Sequence, residues 1–207
     1  MKEISTEARI LDGALELFYK HGIKSITMDD VAKHLGMSKK TIYRFFRDKD
    51  EMVMKCCDRD LNDRDCTFRE ITGSSADAIG ELMEMMKHTS RMFSQMNPNL
   101  FYDMQKYHPS VWKLFRDFKE KNILRMVEDN LRKGISQGLY RRDINIPVIA
   151  RLRIEEVEMG MNPQLFPSEL FRIADVQLSL FDHFMHGITT LKGHKLINKY
   201  KEITEEE

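Results

Sequence analysis

Between Met28 and Arg47 three residues stand at intervals that few folds accommodate: Ala32, then Gly36 four positions on, then Ile42 six beyond that. Two short helices that meet at a steep angle need a small residue where they touch, which Ala32 supplies. The tight turn between them needs a residue tolerant of positive φ, which is Gly36. The second helix then needs an apolar anchor facing the core, which is Ile42. Val31, Leu35, Met37 and Phe45 or Phe46 fill the space around these three. Helix signals flank the segment at the right places. Thr27 caps a helix with Asp29 and Asp30 in its first turn, where the helix dipole favours negative charge. Gly36 ends that helix and Ser38 caps the next, while Asp48 with Glu51 resembles a capping box for a fourth. Upstream, a first helix runs from a Ser5/Thr6 cap to about Tyr19, burying Ile10, Ala14, Leu17 and Phe18, and Gly22 ends it. The spacing therefore predicts a three-helix helix-turn-helix domain over residues 1–47.

With Ile42 inward, Lys39, Lys40, Tyr43, Arg44 and Thr41 lie on the outer surface of the third helix. Overall charge argues by itself against a nucleic-acid ligand, since 33 Lys and Arg balance 33 Asp and Glu. The average hides a local excess. Lys33, Lys39, Lys40, Arg44, Arg47 and Lys49 face only Asp48 between positions 33 and 49. Arg and Lys neutralise phosphates or donate to guanine edges, and Ser, Thr and Tyr hydroxyls bond phosphate oxygens. The helix start at Ser38 offers free amide hydrogens to a phosphate. A solvated cationic face on an ordinary bundle would not need packing residues and charge to agree in register. They do agree, so double-stranded DNA is the expected partner.

Beyond residue 47 nearly every segment repeats its apolar residues at helical spacing, and no convincing alternating strand occurs. The expected fold is all-α: the helix-turn-helix domain plus a larger helical domain over 48–207. A fourth helix, 48–71, is the only expected connection between them. Further helices are expected at about 76–96, 99–107, 110–137, 147–161 and 167–191, punctuated by Asn97-Pro98, His108-Pro109, Gly138 and Asn162-Pro163. The last is apolar on most of its circumference, one stripe running Leu170, Ala174, Leu178, Phe181, Met185, Ile188 and another Ile173, Val176, Leu180, Phe184, Leu191. Such a helix must be covered on more than one side. A second subunit is one cover, giving a four-helix interface through Ile154, Val157, Met161, Leu178, Phe181, Met185 and Ile188. The plain core of a monomer is the other. The middle of the chain is rich in methionine and aromatic residues, which suit an adaptable apolar pocket and equally a plain core.

Residues 27–53 resemble the DNA-binding domain of the TetR family of bacterial repressors. The matching residues are Thr27, Val31-Ala32, Gly36-Met37-Ser38, Thr41-Ile42-Tyr43, Phe46, and Lys49 ahead of Glu51-Met52. The upstream run from Ile10-Leu11 to Phe18 and Gly22 is also similar to that family's first helix. The resemblance implies that Thr27, Ser38, Lys39, Thr41, Tyr43 and Lys49 contact operator DNA, Tyr43 and Lys49 through phosphates. Lys40 stands where many members carry glycine, which implies an extra contact or a different docking depth. The resemblance also implies a homodimer whose body binds a small effector. An apolar or amphipathic molecule would be lined by some of Met86, Met92, Phe93, Met96, Phe101, Tyr102, Met104 and Trp112. Its binding would swing the fourth helix and release the repressor from DNA.

An enzyme is not expected, because the chain has no phosphate-binding glycine loop, GxSxG elbow, HExxH or dinucleotide fingerprint. Glu155-Glu156 reads as solvated charge. His183 and His186 lie one turn apart, as metal ligands can, but read as a surface or interface pair. Neither metal nor cofactor is expected. Two alternatives stay open: a helical adaptor, or a dimeric DNA-binding protein that answers to no ligand. The absence of an apolar signal core or of ~20 consecutive apolar residues predicts a cytoplasmic protein without a membrane span. Cys56, Cys57 and Cys66 fit reduced thiols. The acidic run Glu202–Glu207 is expected to fray.

Overall fold

A computed structural model of the chain describes residues 5–202, and most of the acidic terminal run lies outside them. Every regular element among the described residues is helical, and the one extended pairing is an isolated antiparallel bridge between Tyr140 and Thr189. The order is α1 (Thr6–His21), α2 (Met28–His34), α3 (Lys39–Tyr43), α4 (Lys49–Ser74), α5 (Ala78–Gln95), α6 (Leu100–Tyr107) and α7 (Pro109–Phe118). A π-helical turn (Lys119–Ile123) leads into α8 (Leu124–Ser136), followed by α9 (Ile146–Gly160), α10 (Ile173–Ile188) and α11 (Leu191–Lys201). Packing divides the chain into two compact units. One holds the residues up to Arg64 together with Gln95–Asp117; the other holds Asp65–Ser94 and the residues from Phe118 onward. The chain therefore passes between units within α4, after Ser94 and after Asp117, rather than through α4 alone.

The first unit is built on α1–α3, with Ile10, Ala14, Phe18, Val31, Ile42, Phe46 and Met52 buried between them and the start of α4. Each of these side chains other than Ala14 contributes about 1.5–3 kcal/mol by leaving water. Helix α6 packs in the same unit, tied by hydrogen bonds far apart in sequence. The Asp103 carboxylate accepts from the Lys24 amide at 2.8 Å, and the Asn97 amide donates to the Tyr19 carbonyl at 2.6 Å. The Tyr19 hydroxyl donates to Asp60 of α4 at 2.9 Å, and Arg64 pairs with that carboxylate at 2.6 Å. Burial raises the Tyr19 phenol well above its ordinary range. It likewise pushes the Cys56 and Cys57 thiols up to about 12, so they stay protonated and unreactive at neutral pH.

The second unit closes around Tyr140, whose ring is fully buried and whose hydroxyl lies 3.1 Å from the Ala78 carbonyl and 3.0 Å from Asn130 Oδ1. Asn130 Nδ2 donates to the same carbonyl at 3.0 Å, so this buried polar cluster is satisfied. Gly134 makes room for the ring: a Cβ there would stand 2.0 Å from Tyr140 Cδ2. Overpacking of a rigid ring costs about 1–3 kcal/mol. Gly134→Ala should lower stability by at least that much in chemical denaturation, and an unchanged midpoint would show that the ring moves aside.

The structure alters several boundaries. Helix α4 continues through Gly73 to Ser74. The 110–137 helix is interrupted by the π turn, where Lys119-Glu120-Lys121-Asn122 offers no apolar side chain to hold a 3.6-residue register. There Lys119 pairs with Glu155 at 3.3 Å and with Glu158, and Arg151 pairs with Glu120 at 2.6 Å. The 167–191 helix is really α10 alone. Its start is displaced by a turn in which Leu170 and Phe171 donate to the Pro167 carbonyl. Its end is set by Thr189, which is extended, and by Thr190, whose hydroxyl accepts from Gly193 and caps the unforeseen α11.

The expected interface residues differ in exposure within the single chain. Ile154, Phe181, Met185 and Ile188 belong to the core of their own unit, and Met161 is buried as well. Arg153, itself buried, lies 5.5 Å from the Phe181 ring centroid and 5.4 Å from that of Phe184. Val157 is half-buried, and only Leu178 of the seven is exposed. The apolar side chains that α9 leaves in solvent are Val148, Leu152 and Met159.

Candidate nucleic-acid interface

Local capping fixes α2 and α3. The Thr27 hydroxyl accepts from the Asp30 amide at 3.2 Å, and the Asp30 carboxylate accepts from the Thr27 amide at 2.9 Å. This reciprocal box satisfies two free donors. The hydrogen bonds from Thr27 hold the Asp30 carboxyl below its usual range. Gly36 takes φ +63°, and the Met37 amide closes the turn on the Ala32 carbonyl at 2.9 Å. Ser38 then accepts from the Thr41 amide at 3.1 Å. At the start of α4 the Glu51 amide donates to Asp48 at 2.9 Å, but the Glu51 carboxylate takes the Arg47 amide, one residue earlier than a reciprocal box requires. Gly13, which the sequence did not single out, lets α1 touch the end of α2: a Cβ there would lie 2.6 Å from Leu35 Cδ2.

Ile42 is completely buried, so the register of α3 is fixed and its other face is open. Lys40, Tyr43 and Arg44 are exposed on it, and neither Lys40 nor Arg44 has an ion-pair partner among the described residues. Lys39 is exposed too, but its ammonium is held 2.8 Å from the Asp29 carboxylate of α2 and 5.9 Å from the Tyr43 ring centroid. That pair is solvent-exposed and therefore weak, so a phosphate competes with it readily. Asp29 was foreseen only as a dipole partner, because the angle between α2 and α3 brings it to Lys39. The Ser38 and Thr41 hydroxyls lie 2.8 Å apart, and Ser38 Oγ also accepts the Thr41 amide. Thr27 is exposed, its hydroxyl donating to Asp30 at 2.6 Å. Lys49 is half-buried, its ammonium donating to the Lys24 carbonyl at 3.4 Å. Burial lowers its pKa, opposed by Asp103, Asp50 and Asp30. The eight expected residues thus lie within one unit and along one short stretch, with Lys40, Tyr43 and Arg44 the most open.

The residues expected around an effector are not brought together within either unit. Met86 and Phe93 are buried and Met92 half-buried in the second unit; the other five fall in the first. There Met96, Phe101 and Met104 line a cavity of about 50 Å³, too small for a ligand of drug size. Trp112 is half-buried and stacks on Phe115 at 5.3 Å, while Tyr102 is exposed beside Lys106. Among the described residues no group of three His, Cys, Asp or Glu side chains is placed to hold a metal ion, and no helix is long and apolar enough to cross a membrane.

Residues 10–56 match the family model of bacterial regulatory proteins, tetR family. The chain is 25% identical over 185 residues to an uncharacterized HTH-type transcriptional regulator, YvaF, of Bacillus subtilis (strain 168), covering 88% of this chain and 95% of that one. It is 24% identical over 142 residues to the biofilm operon icaADBC HTH-type negative transcriptional regulator IcaR of Staphylococcus aureus (strain Newman), covering 61% of this chain and 76% of IcaR. The crystal structure of a TetR-family transcriptional regulator from Agrobacterium tumefaciens superposes with a TM-score of 0.71 at 15% identity, covering 89% of this chain and 97% of that one. All three relatives are named as transcriptional regulators. The helix-turn-helix segment thus matches the tetR family of bacterial regulatory proteins, and along most of its length the chain is similar to HTH-type transcriptional regulators and shares their helical fold.

Proposed function

We propose that the chain is a homodimeric cytoplasmic repressor that leaves its operator when a small amphipathic molecule binds the helical body. The observation that carries the DNA-binding part is α3: Ile42 fully buried and Lys40, Tyr43 and Arg44 open on the opposite face. Repression is supported by the likeness to IcaR, named as a negative regulator. Dimerisation is supported by exposed Val148, Leu152 and Met159 on α9 and Leu178 on α10, apolar side chains that a second copy would cover.

In this reading residues 1–47 grip DNA, 48–71 connect, and the rest senses and dimerises. The hydrogen bond from the Lys24 amide to Asp103 adds a second route to the connector, because α6 holds the turn between α1 and α2. A shift of α4 or α6 would change the setting of the recognition helix and spoil its fit to the major groove. A coupling of about 1–3 kcal/mol would change DNA affinity roughly 5–150-fold, and operator DNA would weaken effector binding by the same factor.

Gel-shift titration across salt concentrations tests the contacts. Lys49→Ala should weaken specific and non-specific binding alike and reduce the salt slope by about one unit, as for a lost phosphate contact. Lys40→Ala should in addition relax base preference. Retention of full affinity and slope by both variants would remove these residues from the interface.

A further inference from the structure

The second unit contains a cleft of about 570 Å³ that the sequence did not foresee and none of the expected effector residues lines. That volume falls within the range of small-molecule sites. One wall is the last part of α4, and the other is formed by the π turn and the first half of α8. Such π turns occur frequently at functional sites. Phe68, Ile123 and Met126 give the cleft an apolar floor that packs against the core of the unit.

The charges around that floor are not balanced. Each carboxylate in the lining is already answered by the protein. Glu81, buried, receives Lys133 at 2.7 Å; Asp65 receives Asn122 at 2.9 Å and Arg69 at 2.6 Å; Asp129 receives Arg132 at 2.8 Å. Two cations are not answered in the same way. Lys121, in the π turn, has no ion-pair partner among the described residues, and Arg125 reaches Asp129 only at 3.8 Å. Both line the cleft, four positions apart.

We infer that this cleft binds a small amphipathic anion. An apolar or aromatic body would lie on Phe68, Ile123 and Met126, and one carboxylate or phosphate would face Lys121 and Arg125. The anion would add charge where positive charge is in excess, and its body would cover apolar surface now open to water. As an effector site, the cleft rests on the repressor reading above. It gives that reading a mechanical sense, because the occupant would bridge α8 and the end of the helix that runs on into the DNA-binding unit.

The test is calorimetric titration of the full-length protein, without DNA, with 1-naphthyl phosphate, 1-naphthoate and 1-naphthalenemethanol. One or both anions should bind at one site per chain, and the alcohol at least tenfold more weakly. Which anion binds better identifies the head group. Lys121→Ala combined with Arg125→Ala, both exposed positions, should weaken anion binding at least tenfold without changing the thermal unfolding midpoint. Met126→Trp should weaken anion binding as well by filling the floor. No saturable binding by either anion, equal binding of the alcohol, or binding unmoved by the double substitution would overturn the site. Saturable binding that leaves DNA affinity unchanged would keep the site and remove its role as effector pocket.

Discussion

Replacing Lys40, Tyr43 and Arg44 together by alanine is expected to lower operator affinity by at least about a hundredfold while leaving thermal unfolding unchanged. All three side chains stand on the open face of α3, and none contributes to the buried set that holds the helix. A lost bidentate base contact costs about 1–3 kcal/mol, and each lost phosphate contact reduces the counterion release that drives binding. Three such losses together reach the hundredfold range, since about 1.4 kcal/mol is a factor of ten. Fluorescence anisotropy with operator fragments captured from genomic DNA measures the loss, and circular dichroism checks the fold. Wild-type affinity in a folded triple variant would sink the assignment of α3 as the reading helix. Ile42→Asp is the contrasting substitution: a charge at a position with no solvent exposure should unfold the first unit.

The second large effect concerns assembly. Leu152→Asp combined with Leu178→Asp should turn the dimer into a folded monomer that has lost most of its operator affinity. Both residues are exposed in the single chain, at 50% and 43%, so the new carboxylates remain solvated unless a second copy covers them. Covered by a partner, they are buried without compensation and the interface fails. Linked binding to two half-sites gains about 10²–10⁴ over one site, which is the affinity the monomer should lose. Phe181→Asp is not an equivalent test, because Phe181 lies in the core beside Arg153 and its loss should unfold the second unit. Analytical ultracentrifugation at micromolar concentration decides the matter. A wild-type monomer, or a double variant that still sediments as a dimer, would place the interface elsewhere.

What the sequence made legible was the short-range part. Caps act over three residues, so the capping roles of Thr27 and Ser38 and the positive φ of Gly36 follow from the order of residues alone. The inward setting of Ile42 follows from the same local geometry. Contacts that depend on how helices cross were not legible. Asp29 meets Lys39, and Asp103 accepts the Lys24 amide, only once the fold has formed. Periodicity also shows that a face is apolar without showing what covers it. The stripe through Phe181, Met185 and Ile188 is covered by its own unit, whereas Leu170 and Leu191, placed on the same long helix, lie beyond the ends of α10 and are exposed at 78% and 84%. The methionine and aromatic segment suits a pocket lining and a plain core equally, and the chain passes between units after Ser94 and divides it. The charged cleft was invisible because its cations come from the π turn and α8, whose meeting with the end of α4 no apolar pattern in the sequence signals.

Footprinting on captured genomic fragments decides whether this chain reads DNA sequence as a two-fold dimer through α3. Two protected half-sites related by a dyad are expected, one helical turn of about 10 base pairs apart or a multiple of it. Protection should survive excess competitor DNA and disappear for the Lys40, Tyr43, Arg44 variant. A lone half-site bound tightly by the wild-type protein, or protection without sequence preference that competitor DNA removes, would contradict it.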